Sequence, residues 1–200
     1  MKTKLKDIGI LGSGAWGTAL ACILNKKTSI SLWAYEKETA KQINKHKINK
    51  TYLPGIKIPN NVRATNNLEE LKRCKFIFIC IPSQFIKKII LEFKKFYKKE
   101  MILVVCSKGI EKNSKDLISE VIKKIIPKSK TAVLSGPSFA IEVAKKKPTA
   151  VKIASKNNNN AKELAKLVNS KTFRCYYTND ITGVQLGGVV KNILAIASGI

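Results

Sequence analysis

Residues 8–17 read Ile8-Gly9-Ile10-Leu11-Gly12-Ser13-Gly14-Ala15-Trp16-Gly17, an apolar run that breaks into Gly-x-Gly-x-x-Gly. Thr18-Ala19-Leu20-Ala21-Cys22-Ile23-Leu24 follows, and its composition favours a helix. Strand, glycine turn and helix in that order form the arrangement that receives a dinucleotide pyrophosphate. Gly12 permits the tight turn, Gly14 lets the backbone approach the phosphates, and Gly17 lets helix and strand pack closely. The helix N-terminus then offers unpaired N–H groups and partial positive charge to an anion.

The rest of the chain repeats the alternation. Continuous apolar stretches at 8–11, 30–34, 76–81, 102–106, 132–135, 151–154 and 173–177 predict parallel strands covered on both faces. Helical patterns lie between them at 16–25, 36–45, 84–93, 114–126, 139–144 and 161–168. Strands alternating with helices predict an α/β fold, a doubly wound and mostly parallel sheet. The run 157–160 reads as a polar turn, and no internal repeat is present. Residues 181–197 break the alternation as one long helix, apolar nearly all round and so expected to be buried against something. The boundaries that follow are 1–179 for the sheet domain and 180–200 for the start of a helical one.

Two hundred residues with 44% hydrophobic content suffice for a large core. No apolar run reaches membrane-spanning length, so no membrane insertion is expected. The basic N-terminus runs into the glycine motif without a cleavage site and reads as a first strand, not a signal peptide. Cys22, Cys74, Cys80, Cys106 and Cys175 are scattered and mostly inside apolar runs, as expected of buried free thiols in a reducing, cytoplasmic compartment. With His46 alone and no metal spacing, no metal site is expected. The formal charge of +25 invites a nucleic-acid reading. Against it, the arginines are Arg63, Arg73 and Arg174, and the lysines are spread over every segment. Lys, Asn and Ile share A/T-rich codons, so base composition is a sufficient cause. Weak, salt-sensitive attraction to polyanions is expected, but no specific nucleic-acid partner.

Five blocks in order carry a resemblance. They are residues 12–21, Tyr52-Leu53-Pro54-Gly55, Ser107-Lys108-Gly109-Ile110-Glu111, Leu134-Ser135-Gly136-Pro137-Ser138-Phe139-Ala140, and residues 187–197 from Gly187-Gly188 through Lys191-Asn192. The series, running from residue 8 to residue 200, resembles the bacterial-type NAD(P)-dependent glycerol-3-phosphate dehydrogenases. The resemblance implies a Rossmann-like domain followed by the first helix of an all-α C-terminal domain. It implies hydride transfer at C2 between dihydroxyacetone phosphate and sn-glycerol 3-phosphate, supplying glycerophospholipid synthesis. It also implies a homodimer wherever the helical domain is present.

By resemblance, Lys191 is the catalytic lysine that exchanges a proton with the C2 oxygen and also binds substrate. Lysine does this near neutral pH when desolvation or a neighbouring cation lowers its pKa. The bland alternative is a lysine reaching solvent from a buried helix. Gly187 and Gly188, one turn earlier, are expected to open space for the ligands. Lys108, after the strand at 102–106, would touch both substrate and cofactor and depress the pKa of Lys191 if close to it; otherwise it is a solvated surface lysine. Gly136 and Ser138 would contact substrate and Ala140 cofactor, with the positive end of the helix at 139–144 beside them; the alternative is an ordinary Ser-capped helix.

Gly12, Gly14, Ala15, Trp16, Gly17, Tyr35, Glu36 and Tyr52 complete the expected cofactor set. NADP-preferring relatives carry a basic pair where this chain has Tyr35-Glu36. An acid there suits a ribose 2′-hydroxyl and repels a 2′-phosphate, so NAD(H) is expected ahead of NADP(H). Glu36 could instead serve as a favourable helix N-terminal charge. Ala15 replaces the commoner serine and forgoes a phosphate hydrogen bond worth about 1 kcal/mol. Tyr52 either flanks the cofactor or anchors a loop. Two alternatives stand beside the dehydrogenase: a non-catalytic dinucleotide-binding fragment of it, and a related hydroxyacid dehydrogenase of other specificity.

Overall fold

The computed structural model describes residues 7–24 and 28–199. Strands β1 (Asp7–Leu11), β2 (Ile30–Trp33) and β5 (Val62–Thr65) alternate with helices α1 (Ala15–Ile23) and α2 (Lys37–His46). A small hairpin of β3 (Ile48–Asn49) and β4 (Leu53–Lys57) is inserted after α2. Then come β6 (Cys74–Ile79), α3 (Ser83–Phe93), β7 (Ile102–Val105), α4 (Ile118–Ile125) and β8 (Lys130–Ser135). The described chain closes with α5 (Ala140–Ala144), β9 (Thr149–Ala154), α6 (Asn158–Val168), β10 (Phe173–Thr178) and α7 (Ile181–Ala197).

Eight strands form one sheet in the order β10-β9-β8-β7-β6-β1-β2-β5. Every neighbouring pair is parallel except β8 with β9. The apolar runs are continuous because both faces are covered. Ile8, Ile10, Phe76, Phe78, Ile102 and Val104 point into one core, with α1, α2 and α6. Leu11, Ile77, Ile79, Leu103 and Val105 point into the other, under α3 and α4. Each such side chain, fully buried, contributes about 1.5–3 kcal/mol over leaving it in water. Among the described residues no helix is long and apolar enough to cross a membrane.

The structure differs from the sequence reading at identifiable places. Strand β5 is short and half polar, and pairs on β2 at the sheet edge. β4 contains Pro54 and Gly55, which mask a strand pattern and are tolerated because this two-stranded unit stands outside the main sheet. The helix expected from 114 begins at Ile118. The carboxylate of Glu111 accepts the Asn113 and Ser114 N–H groups at 3.1 and 2.6 Å, and Lys115 adopts φ 58°. This winds the preceding segment into a turn. The asparagine run is not a separate turn: Asn157 caps α6, its side chain accepting the Asn160 N–H at 3.1 Å, and Asn158–Asn160 are already helical. Asn25, at the expected end of the first helix, lies outside the described residues.

Helix α7 is only partly covered. Ile181 is buried, and Gln185 exchanges hydrogen bonds with Ser119 of α4 at 3.1 and 2.7 Å. Its first two turns therefore pack on the sheet domain. Farther on, Leu194 and Ile196 are 63% and 68% exposed, so the apolar surface expected to be buried faces outward there.

Candidate functional site

The C-terminal ends of β1, β2, β6, β7 and β8 open into a cleft of about 810 Å³. It is built from the glycine turn outward. Gly12 has φ +112°, and a Cβ on it would meet the Cys80 carbonyl oxygen at 2.7 Å. A Cβ on Gly17 would sit 1.9 Å from the Gly12 oxygen, so Gly17 stands behind the turn as a packing residue and not as a wall of the cleft. Gly14 is different, since a Cβ there would have nothing within 4 Å. Gly14 also caps α1 without a side chain, so the helix's first N–H groups have no side-chain cap, and Ala15 and Trp16 line the cleft beside it. An absent side chain and an open approach suit a bulky anion such as a pyrophosphate.

The turn is held from behind by a residue the sequence reading missed. Asn49 is fully buried, and its Nδ2 donates to the Ser13 carbonyl at 2.7 Å and the Thr18 hydroxyl at 2.9 Å. The Thr18 hydroxyl in turn donates to the same Ser13 carbonyl at 3.0 Å. Three residues on, the Tyr52 N–H donates to Asn49 Oδ1 at 3.2 Å. No sequence pattern marks Asn49, since its partners are distant in the chain and mostly backbone.

At the end of β2, Asn66 staples the following loop by donating to the Ala34 carbonyl at 2.9 Å and to that of Tyr35. Tyr35 and Glu36 both line the cleft, and Glu36 Oε1 accepts the Tyr52 hydroxyl at 3.0 Å. The carboxylate holds the Tyr52 proton more firmly, raising that phenol above its usual value. Trp16 and Trp33, the two tryptophans of the chain, also face this space. On the floor, Cys80 and Cys106 lie opposite each other at the ends of β6 and β7. Burial pushes the Cys106 thiol well up, with its hydrogen bond to Cys80 adding to the effect.

Lys108, Gly136, Ser138 and Ala140 line the other end. Gly136 has no room for a side chain, because a Cβ would lie 2.9 Å from the Ala150 oxygen. Ser138 does not cap α5: its hydroxyl donates to the Gly136 carbonyl at 3.3 Å, and Phe139 occupies the cap position. The ordinary Ser-capped helix is thereby ruled out. Lys191 lines an adjoining hollow of about 580 Å³ that shares Ser135 and Gly136 with the main cleft. Its Nζ lies 5.1 Å from the centre of the exposed Phe139 ring. Phe139 stood inside a recognised block, but sequence gave it no role. Gly187 faces open space in this hollow, whereas Gly188 abuts strand β8, a Cβ there falling 2.6 Å from Ser135 Oγ. Gly188 lines the hollow as well, so both glycines border the space, Gly188 on the side toward β8.

Lys108 and Lys191, far apart in sequence, come close enough for the Lys191 charge to act on Lys108. Lys108 is exposed as a residue, yet its ammonium is held below its usual range, first by partial desolvation and then by the neighbouring Lys191 charge. Two like charges at the junction of two hollows form a place that an anionic ligand would relieve. Among the described residues, no group of three His, Cys, Asp or Glu side chains comes together.

Residues 7–161 match the family model described as NAD-dependent glycerol-3-phosphate dehydrogenase N-terminus. The chain is 40% identical over 200 residues to a glycerol-3-phosphate dehydrogenase [NAD(P)+] of Citrifermentans bemidjiense, covering 98% of this chain and 60% of that one. A Zymomonas mobilis protein of the same name is 40% identical over 193 residues, covering 96% and 56%. The crystal structure of glycerol-3-phosphate dehydrogenase from Coxiella burnetii superposes with a TM-score of 0.91 at 38% identity, covering 97% of this chain and 60% of that one. The chain thus spans about 60% of the length of these relatives. With the glycine turn, the sheet order and the family model in agreement, this chain belongs to the N-terminal family of NAD-dependent glycerol-3-phosphate dehydrogenases.

Proposed function

We propose that the chain supplies the cofactor-binding half and the catalytic lysine of an enzyme that interconverts dihydroxyacetone phosphate and sn-glycerol 3-phosphate, feeding glycerophospholipid synthesis. The observation that carries this reading is that Lys108 lines the cleft of the glycine turn and Lys191 the second hollow, the two spaces sharing Ser135 and Gly136. The residues fit a nicotinamide dinucleotide. Gly14 leaves an open approach to the start of α1, and the cleft volume is of the size that holds a cofactor. Gly12, Gly14, Ala15 and Trp16 receive the pyrophosphate, with Gly17 packed behind them. Tyr35, Glu36 and Tyr52 surround the adenosine ribose. NAD(H) is favoured over NADP(H) because Glu36 places a carboxylate where a 2′-phosphate would enter.

A nicotinamide dinucleotide held by these residues would supply or take up the hydride at C2. In the reducing direction Lys191 Nζ gives a proton to the C2 oxygen as that carbon becomes an alcohol; in oxidation the proton returns to Lys191. Lys108 attracts the phosphate or polarises the C2 oxygen and touches the cofactor. Gly136 and Ser138 bound the substrate and Ala140 the cofactor. The free thiols of all five cysteines support a reducing, cytoplasmic setting. The exposed apolar end of α7 supports its being the first helix of a helical domain, which would carry the homodimer contact.

The test is NADH oxidation by the 200-residue chain with dihydroxyacetone phosphate. Turnover that Lys191→Ala abolishes, with NADH affinity left largely intact, would establish the activity and the role of Lys191. Equal loss of both would make Lys191 structural. A second reading, dinucleotide binding without turnover, is favoured by the 60% share of the relatives' length that this chain spans. NADH binding with no turnover in the parent chain would establish it.

A further inference from the structure

The β3–β4 hairpin stands outside the main sheet, yet it delivers Tyr52 to the cofactor cleft and Asn49 to the back of the glycine turn. Asn49, fully buried, is fixed against the glycine turn through the Ser13 carbonyl and the Thr18 hydroxyl. Its Oδ1 takes the Tyr52 N–H, so the position of Tyr52 is set from that turn. Tyr52 lines the cleft beside Glu36, and its hydroxyl donates to Glu36 Oε1 at 3.0 Å. Glu36 is exposed, occupies the N-cap position of α2 without a side-chain cap hydrogen bond, and forms no ion pair among the described residues. An exposed glutamate samples several rotamers, and ordering it costs side-chain entropy.

We infer that the Tyr52 hydroxyl is a specificity-determining positioning group. It holds the Glu36 carboxylate over the cleft with its second oxygen free for a ribose 2′-hydroxyl, and so sets the preference for NADH over NADPH. This rests on reading the cleft as a dinucleotide site with Glu36 facing the ribose. The hydrogen-bond chemistry is consistent throughout. A carboxylate has acceptor sites for both the phenol and the ribose hydroxyl. A 2′-phosphate brings acceptors and negative charge, which a fixed carboxylate repels and a freely rotating one can avoid. The anchor matters more for discrimination than for contact area, because the phenol ring stays in place when its oxygen is removed.

Trp16 and Trp33 both line the cleft, so quenching of intrinsic fluorescence reports binding without turnover. NADH and NADPH are titrated into the 200-residue chain, Tyr52→Phe, Glu36→Gln and the double variant, with a urea unfolding curve for each. Tyr52→Phe is expected to lower the ratio of the NADPH Kd to the NADH Kd by about tenfold, equivalent to about 1.4 kcal/mol. Its urea midpoint is expected to stay unchanged. In the Glu36→Gln background the same substitution is expected to leave the ratio alone, since both act through one contact. If Glu36→Gln shifts the ratio and Tyr52→Phe does not, the positioning role is overturned while the site stands. Equal weakening of both cofactors by Tyr52→Phe makes the tyrosine a wall of the cleft and overturns the inference too. A parent chain that binds neither dinucleotide, or prefers NADPH, overturns the inference together with the reading beneath it.

Discussion

Gly12 and Gly14 stand two residues apart in one motif, yet alanine at each should produce opposite phenotypes. At Gly12 the backbone φ of +112° is foreign to any residue with a Cβ, and such strain costs about 1–3 kcal/mol. The new methyl would also press on the Cys80 carbonyl, 2.7 Å from its oxygen and 2.9 Å from its carbon. Overpacking against backbone that cannot swing aside adds about 1–3 kcal/mol. Gly12→Ala should thus lose about 2–6 kcal/mol, a large share of the roughly 5–15 kcal/mol that holds a domain together. For a chain of this size the melting temperature should fall by at least about 4 °C. Gly14 has an extended backbone, φ −61° and ψ −178°, and a Cβ there meets nothing. Gly14→Ala should keep its melting temperature within about 2 °C and lose NADH affinity, because the methyl occupies the anion's approach. Calorimetry on the free chains and fluorescence titration with NADH separate the two. A Gly14→Ala variant as unstable as Gly12→Ala, or one that binds NADH like the parent, would refute the assignment of fold to one glycine and ligand to the other.

Lys108 is depressed by partial desolvation and by Lys191, so the folded state disfavours its proton. That penalty is fully present below the folded pKa and fades as pH rises toward the ordinary value of 10.5. Lys108→Gln should therefore unfold at higher urea than the parent at pH 7, with the gap closing near pH 10; a gap that widens with pH would contradict the sign. Asn49→Ala removes the donor to Ser13 and the acceptor for the Tyr52 N–H, and should cost about 1–3 kcal/mol in chemical denaturation. A loss under about 0.5 kcal/mol would show that water replaces the amide without penalty.

What could be read from the sequence was whatever depends on neighbours in the chain. Central strands announced themselves because a strand buried on both faces has to be apolar throughout, as in Ile102–Val105. The glycine turn was legible because its conformational demand falls on single residues. The start of α4 was not, since the Glu111 carboxylate winds the preceding segment into a turn through backbone N–H groups that leave no trace in composition. Pro54 and Gly55 hid the hairpin, and with it the path from Asn49 to Glu36. Lys108 and Lys191 were paired beforehand only through family resemblance, because their approach depends on how α7 lies against β8.

Gly12 donates its N–H to the Trp33 carbonyl, and Leu11 accepts from Cys80, so the glycine turn is clamped by β2 on one side and β6 on the other. The floor beneath the phosphate position is therefore contributed by residue 80, long after the motif itself has ended. A nascent chain halted before Cys80 would carry every glycine of the fingerprint and still lack the surface they rest on. Closing that distance requires ordering the whole intervening segment, which places completion of the turn among the nonlocal, slower events of folding. Dinucleotide affinity should accordingly arise as one step with the docking of β6, and a saturating ligand at 100 times its Kd would then hold the assembled state by about 2.7 kcal/mol.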